Sequence, residues 1–181
     1  MRRKLVAILG GRLENTGPEA MAFAEAIGRE LAQRGYGLVT GGDGGIANAA
    51  CKGAVEAGGQ TIALLKFNKP TDCGPYTTWA IPTSMDLARS NPLNWAGDGI
   101  IAFDGRFGTM GEIALALDTE RPLVVTGDPT LLTDAAFDVP TCRVIRGNAL
   151  ANVMLVVDTL EKLMDDAVVP PTRPDATPGL P

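Results

Sequence analysis

The chain alternates between short, unbroken apolar runs and longer segments in which apolar residues return every three or four positions. The runs are residues 4–10 (KLVAILG), 36–42 (YGLVTGG), 60–66 (QTIALLK), 79–84 (WAIPTS), 99–104 (GIIAFD) and 122–127 (PLVVTG). Each has strand length and is bounded by turn-forming residues. Helical periodicity covers 16–35, 45–59, 108–120 and 149–167. In 16–35, Ala22, Ala26, Ile27 and Leu31 form an apolar stripe. Thr16 and Glu19 have capping-box spacing, and Gly35 marks the stop. In 45–59, Ala49, Ala50, Gly53, Ala54 and Ala57 form a small-residue face suited to lying close on a sheet. MDLARSN (85–91) starts a further helical segment, which Asn91-Pro92 interrupts and restarts with proline at a first helical position. Residues 67–78 read as a loop, Pro82 weakens the run at 79–84, and 128–148 show no clear period.

Strands that are apolar throughout, rather than in alternation, belong to a sheet covered on both faces. Strands alternating with helices give parallel crossovers. The expected fold is therefore α/β: a doubly wound parallel sheet in a three-layer α/β/α arrangement, one domain over 1–167. The stretch 168–181 is proline-rich and is expected to be a disordered tail.

Composition narrows the function. Of 181 residues, 45% are hydrophobic, enough for a substantial core, and the formal net charge is −5. That charge argues against a nucleic-acid partner and against an anionic membrane surface. No apolar run is long enough to cross a bilayer. The start MRRKLVAILGG has the basic and apolar parts of a signal peptide, but runs into Gly-Gly and Arg12 without a cleavage site. A first core strand and a cytoplasmic location are expected. The three cysteines, Cys51, Cys73 and Cys142, have no disulfide or zinc spacing, and the chain has no histidine. Ser-His-Asp and Cys-His catalysis and histidine-ligated metals are excluded; no metal site and no required cofactor are expected.

The candidate chemistry lies in glycine-rich turns. Three apolar runs end in glycine: Gly10-Gly11, then Gly41-Gly42-Asp43-Gly44-Gly45, then Asp104-Gly105-Arg106-Phe107-Gly108-Thr109. In a doubly wound sheet these turns share the carboxyl edge, where ligands bind. Each leads toward a helix N-terminus, whose open N–H groups and partial positive charge suit a phosphate. The plainer reading is that these glycines serve tight turns and close helix–sheet packing. There is no P-loop. Gly42 to Ala47 fits G-x-G-x-x-A, but it follows the second strand, and the third strand ends in Lys66 where a dinucleotide site needs an acid. That argues against NAD.

Two charged residues fall near the same edge. Glu112 lies inside the helix that begins near Thr109, and Arg89 lies in the helical segment before the strand that feeds that turn. Glu112 has two readings. Either Thr109-x-x-Glu112 is a capping box, or the carboxylate faces the cleft, where it would stabilise an oxocarbenium ion or activate water. Arg89 either grips a phosphate in bidentate fashion or is a solvated helix residue. Asp43 and Asp104 read as turn formers, and Arg106 as a phosphate partner or a solvent-facing residue. Trp79 and Trp95 either stack on a base or pack in the core or an interface.

These segments together resemble a known superfamily. TGGDGGIANAACKGAVEAGGQTIAL is similar to the glycine-rich segment of the family called "lysine decarboxylase-like". That family includes the LONELY GUY phosphoribohydrolases, the molybdenum cofactor carrier proteins and DprA-related nucleotide-binding proteins. DGRFGTMGEIALAL resembles its second signature, P-G-G-x-G-T-x-x-E, and DLARSNPLNWAGDGIIAF its arginine-bearing helix and strand. The likeness covers roughly residues 4–127. It implies a Rossmann-like sheet, a homo-oligomer, dimer or tetramer, and a nucleotide or similar phosphate ligand at the glycine turns. It matches the signature Glu with Glu112, the Thr with Thr109, the Gly with Gly108 and the helical Arg with Arg89. In the phosphoribohydrolases those Arg and Glu positions support N-glycosidic cleavage of a nucleoside 5′-monophosphate.

The departures favour another branch. Asp104 stands at the family's Pro, Arg106 at its second Gly, and Arg89-Ser90 where the phosphoribohydrolases carry Arg-Lys. The altered turn, the short chain and the Arg89, Asn91, Asn94 pattern look closer to the molybdenum cofactor carrier-like branch. The expected function is binding of a nucleotide or a pterin phosphate such as the molybdenum cofactor, as carrier or sensor. The alternative is a phosphoribohydrolase using Glu112 and Arg89. No residue context supports a pyridoxal phosphate decarboxylase.

Overall fold

A computed structural model describes residues 4–42, 44–103, 105–127 and 134–167. The expected tail at 168–181, and Asp43 and Asp104, lie outside them. The strands are β1 (Leu5–Leu9), β2 (Gly37–Thr40), β3 (Thr61–Leu65), β4 (Trp79–Pro82), β5 (Gly99–Ala102), β6 (Leu123–Gly127) and β7 (Cys142–Arg146). The helices are α1 (Pro18–Gln33), α2 (Gly45–Glu56), α3 (Ser90–Ala96), α4 (Phe107–Asp118) and α5 (Val153–Asp166). The strands form one parallel sheet in the order β4-β3-β2-β1-β5-β6-β7. The fold is the expected α/β Rossmann-like one. Strand order reverses between β1 and β5, which neighbour each other although they are far apart in sequence. At that point the connections on the two sides diverge and leave a crevice beyond the strand ends.

Both faces of the sheet are buried along β1, β2, β5 and β6, which explains their unbroken apolar runs, whereas edge strand β4 leaves Trp79 and Ile81 half-exposed. Val6, Ile8 and Ile101 face a core shared with α1, α2 and α5. Ala7, Leu9 and Ile100 face the other, with Leu93 of α3 and Ile113 of α4. Neighbouring residues of one strand thus serve opposite cores, as a two-residue period requires.

Several local expectations are corrected. Helix α1 starts at Pro18 behind Gly17, with no side-chain cap; the Thr16 hydroxyl donates instead to the Arg12 carbonyl at 2.9 Å. Proline at the first helical position has no N–H to satisfy and a preset φ, so it takes over the start. The buried stripe of α1 is Ala20, Phe23, Ala24, Ile27, Gly28 and Leu31, while Ala22 is exposed and Ala26 only partly buried. The bulkier Phe23 turns the helix toward the sheet, meeting Phe103 edge-on at 6.0 Å between ring centres. Gly53 of α2 does not face the sheet. It packs on the Glu25 backbone of α1, as Gly28 packs on the Ala50 carbonyl of α2, so the two helices touch backbone to backbone. A 3-10 turn, Asp86–Arg89, runs directly into α3, which begins at Ser90. Pro92 is therefore the third helical residue, still within the first turn where no intrahelical N–H is required. In the segment without clear period, Cys142–Arg146 is an edge strand paired with β6.

Candidate functional site

The crevice at the strand reversal is a cleft of about 610 Å³. It is lined by the turns after β1, β2, β3 and β5 together with the 3-10 turn before α3. Parallel strands put all these turns at one sheet edge. Of the residues singled out from sequence, Gly10, Gly11, Gly41, Gly44, Arg89, Arg106, Phe107, Gly108, Thr109 and Glu112 line the cleft. Gly42, Gly45 and Gly105 do not. Their neighbours show why: a β-carbon at Gly42 would meet Leu65, one at Gly45 the Gly11–Leu13 backbone, and one at Gly105 the Thr109 side chain. Gly42 and Gly45 also hold φ of 74° and 52°, a region that disfavours side chains. The packing reading holds for these three.

The other glycines differ among themselves. Gly10 lines the cleft but also lets Ile46 approach. At Gly41 the place of a side chain is taken by the Arg89 guanidinium. Gly108 has nothing within 4 Å of such a position, and Gly44 only the Asn48 amide at 3.9 Å. At those two positions backbone borders open cleft.

The two helix starts are unequal. At α2 the carbonyl of Gly11 accepts the Ile46 N–H at 3.1 Å, so the protein itself satisfies part of that terminus. At α4 the first turn closes with Met110 N–H to the Arg106 carbonyl at 3.0 Å. The N–H groups of Phe107, Gly108 and Thr109 lie ahead of that bond and have no place in the helical ladder.

Arg89 is not a solvated helix residue. It is 5% exposed, and its Nη1 donates to the Leu64 carbonyl of β3 at 3.1 Å. This fixes the guanidinium over the ends of β2 and β3, against the cleft. Nor is Glu112 a cap. The N-cap of α4 is Arg106, Thr109 is the third helical residue and is buried, and Glu112 is the sixth. Its Oε1 accepts from the Ser90 hydroxyl at 3.0 Å, and its carbonyl accepts from the Asn94 amide at 2.8 Å. Ser90 thus holds the carboxylate, while Asn94 ties the Glu112 backbone to α3.

Sequence reasoning passed over other lining residues. Arg12 and Glu14 follow β1, Lys66 follows β3, and Leu87 and Ser90 flank Arg89. Four cationic side chains and two carboxylates therefore line the cleft among the described residues, in a chain whose net charge is −5. Neither Trp lines it. Trp95 stacks under the Arg121 guanidinium at 4.9 Å, and Trp79 stands half-exposed on edge strand β4. The buried cysteines are chemically quiet: burial pushes the thiols of Cys51 and Cys142 up to about 11. Among the described residues no group of three or more His, Cys, Asp or Glu is placed to hold a metal ion, and no helix is long and apolar enough to cross a membrane.

This is a Rossmann-like protein whose cleft sits at the topological switch point and is bordered by two helix starts. It belongs to the SLOG cluster4 family, whose model matches residues 3–154. Among solved structures, the chain is similar to the molybdenum cofactor binding protein of the phototrophic bacterium Rippkaea orientalis. The two are 27% identical with a TM-score of 0.77, covering 89% of this chain and 99% of that one. The molybdenum cofactor carrier protein of Chlamydomonas reinhardtii is 26% identical with a TM-score of 0.74, over 88% of this chain and 99% of that one. An uncharacterised protein of Archaeoglobus fulgidus is 32% identical over 114 residues, 63% of this chain and 75% of its own. The family and the carrier-like branch agree with the resemblance read from the glycine segments.

Proposed function

We propose that this protein binds a phosphorylated small molecule, a nucleotide or a molybdenum cofactor-like pterin phosphate, in the switch-point cleft, as a carrier or sensor. The observation that carries this reading is the start of α4. Three N–H groups outside the helical ladder border the cleft there, beside a glycine whose side-chain position is empty, with buried Arg89 lining the same cleft. The excess of cations over carboxylates fits an anion, and the volume admits a ligand of nucleotide or pterin size. The carrier proteins named above support a pterin phosphate as the class to try first. The protein works from the cytoplasm as a homo-oligomer; the half-exposed Trp79, Ile81 and Trp95 supply apolar area for subunit contact.

A second reading, N-glycosidic hydrolysis of nucleoside 5′-monophosphates, rests on Glu112. Its carboxylate stands on the second turn of α4 and is held by Ser90 in the same cleft as Arg89. There it would stabilise the charge that develops on the ribose ring.

One experiment separates the two. The protein is incubated with a panel of nucleoside 5′-monophosphates, and free base and ribose 5-phosphate are sought by chromatography, with E112A as control. The melting temperature is followed in parallel. Thermal stabilisation without base release is the expected result. Base release that disappears in E112A would make the protein a hydrolase. Neither effect, with nucleotides or with pterin phosphates, would overturn both readings.

A further inference from the structure

The cleft has an apolar mouth. Phe107, the first residue of α4, lines it while 77% exposed, and Leu87, in the 3-10 turn before α3, lines it while 68% exposed. Large apolar side chains at this exposure leave most of their surface in water, where it opposes stability. They enter from opposite sides of the strand reversal: Phe107 follows β5, while the turn bearing Leu87 is tied to the end of β3. Those ties are specific. The Thr83 hydroxyl donates to the Leu65 carbonyl at 2.7 Å, the Met85 N–H donates to the Thr83 hydroxyl at 3.2 Å, and the Asp86 N–H donates to the Lys66 carbonyl at 3.1 Å. Ser84 and Asp86 are held at φ of 55° and 48°. Such left-handed conformations cost energy in non-glycine residues and persist only where the surroundings impose them. The same short turn points Arg89 into the protein and leaves Leu87 out at the mouth.

We infer that Phe107 and Leu87 form a clamp for the planar heterocycle of the ligand, so that the cleft selects ring-bearing phosphates over ringless ones. This rests on the proposed phosphate site and adds the identity of the other half of the ligand. The phosphate lies deep, at the N–H groups of α4 and near Arg89. The ring lies at the mouth, stacked on Phe107 with Leu87 against its other face. A flat ring matches the pair because an aromatic face stacks on any base or pterin with little demand on hydrogen-bond pattern.

The test measures dissociation constants by titration calorimetry for adenosine 5′-monophosphate, guanosine 5′-monophosphate and ribose 5-phosphate. It uses wild-type protein, F107A, F107W and L87S, with the oligomeric state followed by light scattering. In F107A both nucleotides should weaken about tenfold, the usual size of one lost stacking contact, while ribose 5-phosphate stays within about twofold. F107W should restore nucleotide affinity, and L87S should weaken both nucleotides by a smaller factor. Equal losses for ringed and ringless ligands would overturn the clamp and leave the phosphate site standing. A change of oligomeric state in F107A without selective loss would also overturn it, making Phe107 a subunit contact. Failure of all three compounds, and of a pterin phosphate titrated alongside them, to bind wild type would remove the phosphate site and the clamp with it.

Discussion

The α1–α2 interface and the switch-point cleft are both rich in glycine, and they use it in opposite ways. At the interface, the missing side chains of Gly28 and Gly53 are replaced by backbone of the facing helix. At the cleft, the place of a side chain at Gly108 is empty and that at Gly44 nearly so. A glycine kept for internal packing is surrounded on every side. A glycine that borders the cleft, such as Gly108, has open space where a side chain would stand. Sequence shows both only as glycine. The difference lies in what stands at the position a β-carbon would take.

Substitutions sharpen this contrast. The largest effect is expected from G28A or G53A. Either β-carbon would collide with backbone, so stability should fall by about 3 kcal/mol and Tm by roughly 10 °C, as calorimetry would measure. Ligand affinity of the folded protein should be unchanged. Next comes G41A, where the added methyl meets the Arg89 guanidinium. It should cost about 1–2 kcal/mol in stability and also weaken nucleotide binding about tenfold by displacing the cation. The mixed outcome would mark Gly41 as a cleft glycine that also serves packing.

Alkaline pH probes the packed side. Cys51 sits on the buried face of α2, and burial raises its thiol pKa from 9.0 to about 11, with hydrogen bonds to Thr40 and Thr61 working in the other direction. The folded protein therefore holds that proton more tightly than the unfolded chain. This contribution is intact below pH 9 and is lost as pH rises toward 11. Tm should decline across that window, and C51A should decline less steeply. The smallest change in stability belongs to G108A. Its φ is not left-handed and its surroundings are open, so Tm should hold or rise by a few degrees. Its nucleotide affinity should nevertheless fall. A G108A protein that lost stability and kept affinity would break the comparison.

The sequence made the fold legible because the central strands are covered on both faces and are unbroken apolar runs. The exception, β7, has the sequence CRVIR, with Arg143 and Arg146 exposed at the sheet edge. Its two arginines break the apolar run that marked the other strands. Short capping patterns misled twice, at Thr16 and at Thr109. Proline at the start of α1, and the earlier start of α4 at Phe107, determined those helix ends instead. Arg89, Glu112 and the glycine turns were legible from their order along the chain. Lys66 was not, because its place in the cleft depends on strand order: it follows β3, two strands from β1. Leu87 was hidden for another reason, since an apolar residue in a helical segment reads as core, and only its 68% exposure reveals otherwise.

The central claim is that the start of α4 and the facing glycine turns hold a phosphate compound. The most direct test is an amide NMR titration of the full chain with adenosine 5′-monophosphate. The account predicts saturable shifts at Phe107, Gly108 and Thr109, with smaller ones at Gly10, Gly11 and Gly44, and none around Gly28 and Gly53. Saturable shifts centred instead on Arg143 and Arg146 beside β7, or none at the α4 start, would contradict it.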